Sequence, residues 1–136
     1  MSQSTQRSTP CIFCNIISGD APGNLLFEDD NYVVIKDIKP AAKHHYLIIP
    51  RNHILDVNNL STADHRRLLE ELIVCGKKFL GENGGDLDDS RLGFHVPPFN
   101  SIAHLHLHVI SPASQMSFIS RCIFKPNTWW FQTVSK

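Results

Sequence analysis

The stretch His104-Leu105-His106-Leu107-His108-Val109-Ile110 sets three imidazoles at alternate positions. Imidazole titrates near neutral pH, and its neutral form offers a lone pair to a proton, a metal ion or an electrophilic phosphorus. On an extended strand residues two apart project from the same face, so the three rings share one face and Leu105, Leu107 and Val109 share the other. Three readings fit that pattern. As a nucleophile, His106 in the centre is kept neutral by a charged neighbour, while that neighbour stabilises negative charge on phosphoryl oxygens. As a metal site, two of the rings serve one zinc ion but not all three, because His104 and His108 lie about 13 Å apart at roughly 3.3 Å of extended backbone per residue. With neither chemistry, eight histidines in 136 residues also allow a solvated strand face of histidines by chance.

These rings need a rigid mount, and the surrounding pattern supplies one. Ile12–Ser18 reads as a short helix closed by Gly19, with a turn at Asp20-Ala21-Pro22-Gly23. Strand-forming runs over 25–28 and 32–37 flank Asp29-Asp30-Asn31, the composition of a hairpin turn, and a third run over 45–49 ends at Pro50. The clearest helix is expected from Ser61 as N-cap, with Asp64 at the third position. Leu68, Leu69, Leu72, Ile73, Gly76, Phe79 and Leu80 then recur at helical spacing as far as Gly81, the expected stop. A polar loop over 82–90 leads to strands expected over 91–96 and 104–110, on either side of Pro97-Pro98-Phe99-Asn100. Strands grouped around one long helix predict an α+β domain whose antiparallel sheet is covered by that helix.

The length suits one domain over 11–136, and 42% hydrophobic residues suffice for its core. Residues 1–10, rich in Ser, Thr and Gln, are expected to form a disordered tail. Thirteen basic residues balance thirteen acidic ones, so no global field draws the chain to nucleic acid or to a membrane, and any anion must be held locally. No apolar run has the length of a membrane span, and the polar start lacks the apolar stretch of a secretory signal. A location inside the cell is therefore expected, with Cys11, Cys14, Cys75 and Cys122 reduced and Cys75 a core thiol.

The triad, together with Tyr32-Val33-Val34-Ile35-Lys36-Asp37-Ile38-Lys39-Pro40, His45-Tyr46-Leu47-Ile48-Ile49-Pro50 and Arg51-Asn52-His53-Ile54, resembles the histidine triad superfamily. Gly93-Phe94-His95-Val96-Pro97-Pro98-Phe99, Ser101 and Trp129-Trp130-Phe131 point to its adenosine 5′-monophosphoramidase (Hint) branch, and the resemblance runs from Cys11 to about Phe131. It implies a five-stranded antiparallel sheet with one long helix and one or more short ones, usually paired as a homodimer. It also implies an enzyme that hydrolyses AMP linked through nitrogen. By the same resemblance His106 is the nucleophile that forms a covalent AMP intermediate, His108 contacts the phosphate, His45 is an additional catalytic histidine, and Ser101 is a hydroxyl near phosphate and leaving group. Asp37 would hold the ribose hydroxyls, Ile38 would pack on the base, and His104 would join the nucleotide-binding set. A carboxylate accepts two hydroxyl donors, and an apolar wall suits a purine face. His95 departs from the main nucleotide-binding branch, many of whose members carry Asn there.

The implied substrates are purine nucleotide phosphoramidates or aminoacyl-adenylates, with no membrane or nucleic-acid partner, in cytoplasm and nucleus. The chemistry requires no cofactor. Cys11-Ile12-Phe13-Cys14 nevertheless resembles zinc-binding members, whose site would be completed here by His53 and His104; the plain alternative is a pair of reduced, half-buried thiols. Two rival functions stand beside the phosphoramidase. One is a DNA deadenylase of the aprataxin type, which adds a zinc finger after the triad where this sequence has only Cys122. The other is a nucleotide-binding adaptor with little catalysis.

Overall fold

The computed structural model describes residues 11–134, so the tail expected over 1–10 lies outside the described residues. Helix α1 is Ile12–Ser18; the Cys11 sulfur accepts the N–H of Cys14 at its start, and Gly19 ends it at φ 89°, a left-handed conformation that suits glycine. Strands β1 (Leu25–Glu28), β2 (Tyr32–Lys36) and β3 (His44–Pro50) follow. The long helix α2 (Ala63–Glu82) leads to β4 (Arg91–His95), β5 (Leu107–Ser111), the short helix α3 (Phe118–Ile123) and β6 (Phe131–Thr133). The strands form one antiparallel sheet in the order β1-β2-β3-β5-β4-β6. Among the described residues no helix is long and apolar enough to cross a membrane.

Four expectations need correction. The sheet has six strands, not five. Strand β6 has three residues, too few for a periodic pattern, and it exists because the edge of β4 offers it partners, with His95 facing Phe131 and Gly93 facing Thr133. A Cβ at Gly93 would lie 2.5 Å from the Gln132 carbonyl oxygen, so the missing side chain is what lets β6 approach. The second correction is that Thr62, not Ser61, caps α2, its hydroxyl accepting the His65 N–H at 3.0 Å. The third is that Gly81 does not stop α2, which runs one residue further to Asn83 as C-cap, and Gly84 then takes φ 86°. An exposed helical glycine costs only about 1 kcal/mol, which packing elsewhere on the helix offsets. Last, the triad strand begins at Leu107 rather than His104, because the Leu105 N–H bonds to the Ile54 carbonyl, in a loop instead of a strand.

Alternation along the strands divides the core. Val34, Ile48, Leu107 and Val109 turn to α2, where they meet Leu72, Cys75 and Leu80. Gly76 lets α2 lie close, since a Cβ there would come within 2.9 Å of Val109 Cγ2. On the opposite face, Val33, Ile35, Leu47 and Ile49 pack under Phe13 of α1, while Ile110, Met116, Phe124 and Phe131 form a second cluster. The histidines belong to that same face.

Candidate active site

The triad alternates as its spacing predicts, yet its face is not solvated: His104, His106 and His108 are all buried. That burial makes their hydrogen bonds decisive. On β3, the ring of His45 accepts the Ala41 N–H on Nδ1 at 2.9 Å. Neutral His45 must therefore carry its proton on Nε2, which faces His108 Nδ1 at 3.0 Å and an Asp37 carboxylate oxygen at 3.3 Å. His108 accepts on Nδ1 in turn, so its own proton sits on Nε2. That Nε2 is buried and has no hydrogen-bond partner among the described residues. An unsatisfied buried donor costs roughly 1–3 kcal/mol, so this one is set to receive an acceptor from a bound molecule.

His106 has the complementary arrangement. Its Nδ1–H donates to the His104 carbonyl at 2.7 Å, which leaves the lone pair on Nε2. Its ring lies 4.9 Å from that of His108. Burial pushes His106 down to about 4, only partly opposed by the His104 carbonyl. Burial likewise brings His45 to about 4 against the opposing pull of Asp37, and holds His108 well below its usual range. The rings are thus neutral at pH 7, one offering a lone pair and its neighbour an N–H. Asp37, His45 and His108 are near enough together to suggest a metal site. The Ala41 N–H argues otherwise, because it commits His45 Nε2 to carrying a proton.

A second group, Cys11, Cys14, His53 and His104, has the opposite polarity. His104 Nε2–H donates to the Pro50 carbonyl at 2.8 Å, turning a lone pair on Nδ1 inward. That Nδ1 lies 3.3 Å from Cys11 Sγ, 3.5 Å from Cys14 Sγ and 3.2 Å from His53 Nδ1, and His53 Nδ1 lies 3.2 Å from Cys14 Sγ. A tetrahedral zinc ion with bonds of about 2.0–2.3 Å would need ligand separations of about 3.3–3.8 Å, so the four atoms sit close to the required edges. Burial and the neighbouring Cys11 push the Cys14 thiol up to about 11, and a cation is what would hold a thiolate there. These residues fit zinc.

The remaining sequence candidates are dispersed. Asp37 also accepts the Lys39 N–H at 2.8 Å, and Ile38 beside it is 93% exposed. Ser101 lines a cavity of about 640 Å³ with Cys11, Cys14 and His53. His95 ends β4, its Nε2–H donating to the Ile123 carbonyl at 3.1 Å and its ring 5.0 Å from that of His108. Two residues escaped the sequence reading: Phe13, with ring contacts to His104 and His106, and Phe124, against His45, His95 and His108. Phe13 had a signal, its place between the paired cysteines; Phe124 had none.

Comparison with known proteins agrees with this geometry. The family model described as scavenger mRNA decapping enzyme C-term binding matches residues 10–123. Adenosine 5′-monophosphoramidase HINT3 of Xenopus tropicalis is 48% identical over 128 residues, covering 93% of this chain and 83% of that protein. A HIT family hydrolase from Legionella pneumophila has a crystal structure that superposes with a TM-score of 0.71 at 34% identity, covering 79% of this chain and 96% of that one. A zinc-bound histidine triad family protein from Mycobacterium smegmatis superposes with a TM-score of 0.67 at 25% identity, covering 88% of this chain and 85% of that one.

Proposed function

The chain belongs to the histidine triad family, and we propose that it is a hydrolase that cleaves the P–N bond of adenosine 5′-phosphoramidates through an AMP–His106 intermediate. The observation that carries the mechanism is the His106 Nδ1–H bond to the His104 carbonyl, which leaves a lone pair on Nε2. That nitrogen attacks the α-phosphorus as the P–N bond breaks, and the amine departs with the bond's electron pair and a proton taken from solvent. Water then attacks the same phosphorus and gives one proton back to solvent, releasing AMP and returning the lone pair to His106. His108 Nε2–H gives the phosphoryl oxygen the hydrogen bond it otherwise lacks, while His45 and Asp37 keep that proton in place. Asp37 also takes the ribose hydroxyls, Ile38 the base, and Ser101 the leaving-group side. Aminoacyl-adenylates present the same phosphorus to the same nucleophile. The length of the match to the phosphoramidase favours this reading over a deadenylase.

Zinc at Cys11, Cys14, His53 and His104 would supply a structural cross-link, with His104 held by Pro50. Cys11, Cys14, Cys75 and Cys122, as thiols or zinc ligands, suit a reducing compartment, cytoplasm or nucleus. The exposed Phe118 and Ile119 of α3 offer apolar surface to a homodimer, which sedimentation would test. The enzyme reading itself is tested by turnover of a fluorogenic adenosine phosphoramidate, with acid quench and intact mass used to look for one added AMP. Absence of turnover would leave the adaptor instead.

A further inference from the structure

Phe13 is the one aromatic residue between the two cysteines of Cys11-Ile12-Phe13-Cys14, and it is nearly inaccessible to solvent. Its ring meets that of His106 edge-on, at 5.0 Å and 77°, and that of His104 at 5.9 Å and 78°. Both sulfurs that flank it in sequence point at His104 Nδ1. His104 in turn gives its backbone carbonyl to His106 Nδ1–H. The sulfur and histidine group therefore reaches His106 along two routes, a packed ring and a carbonyl, and α1 carries one of them.

We propose that Phe13 is a positioning residue for His106, and that closure of Cys11 and Cys14 on His53 and His104 is what presses it into place. A seven-residue helix has too few internal hydrogen bonds to hold its own position, so its seat depends on tertiary contacts such as this closure. With α1 seated, the His106 ring is confined by Phe13 on one side and His108 on another. Confinement keeps Nδ1–H on the carbonyl and the Nε2 lone pair directed toward substrate, which is pre-organisation of a nucleophile. With α1 released, the ring turns and its two nitrogens exchange roles. Substrate binding needs no such order, so the effect falls on kcat more than on KM.

The proposal rests on His106 being the nucleophile, but the decisive readout does not. In ¹⁵N-histidine spectra, wild-type His106 should give one fixed tautomer with a slowly exchanging Nδ1–H. Phe13→Ala should average its ring nitrogens and lower kcat about tenfold while KM stays within about twofold, with metal content and cooperative unfolding retained. Should Phe13→Ala fail to fold, Phe13→Leu fills the volume without a ring edge and should show the same change in smaller degree. Cys11→Ser with Cys14→Ser should reproduce the averaged signals although Phe13 is present. An unchanged His106 spectrum in the Phe13 variants overturns the positioning role, and an unchanged spectrum in the cysteine variant overturns the coupling. Full activity of His106→Asn would overturn the hydrolase mechanism alone and leave the spectral result standing.

Discussion

Two groups of polar side chains lie on the same face of this sheet, drawn from the same triad, and differ in where their protons sit. In the group of Cys11, Cys14, His53 and His104, the outward nitrogen of His104 donates to Pro50, so a lone pair turns inward with the sulfurs. In the group of Asp37, His45 and His108, the outward nitrogen of His45 accepts from Ala41, so protons turn inward and the last sits on a buried nitrogen with no hydrogen-bond partner among the described residues. One backbone group of opposite sense decides whether a histidine cluster collects a cation or hands on a hydrogen bond. Residue type alone does not distinguish the two.

The difference is most simply broken at His106, which stands between the groups. His106→Asn keeps a hydrogen-bonding side chain but removes the nucleophilic lone pair, so hydrolysis should fall on the order of 10³-fold or more while AMP binding, measured by calorimetry, survives. His45→Leu should cost on the order of 10² in kcat, because His108 loses the donor that fixes its tautomer. If His45→Leu left kcat intact, protons would not be what that group supplies. Asp37→Ala touches both ribose and His45 in this scheme; a rise in KM of about tenfold or more, larger than the fall in kcat, is expected from losing charge-assisted bonds of about 1.5–3 kcal/mol each.

On the other side of the comparison, Cys11→Ser with Cys14→Ser should abolish one equivalent of tightly held zinc and lower Tm by about 5–10 °C, as expected for losing a site that binds only the folded state. Elemental analysis of dialysed wild-type protein with no zinc would dissolve the contrast altogether. The smallest effect concerns pH. His45 titrates near 4 when folded, against an ordinary histidine value of about 6.5, so the unfolded chain binds more protons between these limits. Stability should rise with pH from about 4 to 6.5 through this group and level off above, and denaturant titrations of His45→Gln should show a shallower rise.

The sequence already determined the α+β class, the bounds of α1 and the split of the triad into leucine and histidine faces. Those features are local or rest on strict alternation, which a strand or helix must obey wherever it lies. It also suggested zinc through Cys11 and Cys14, three residues apart on one helical turn. Other features required contacts between distant residues. Strand β6 and the aromatic wall of Phe124 depend on the edge of β4, and the triad's first half leaves the strand to bond with Ile54. The tautomers of His45 and His104 were likewise invisible, since each is set by a backbone group, Ala41 and Pro50, that carries no side-chain signature. Burial then narrowed what His45, His104, His106 and His108 can do, because a buried ring must satisfy its nitrogens with whatever the fold brings near, and only the fold fixes what that is.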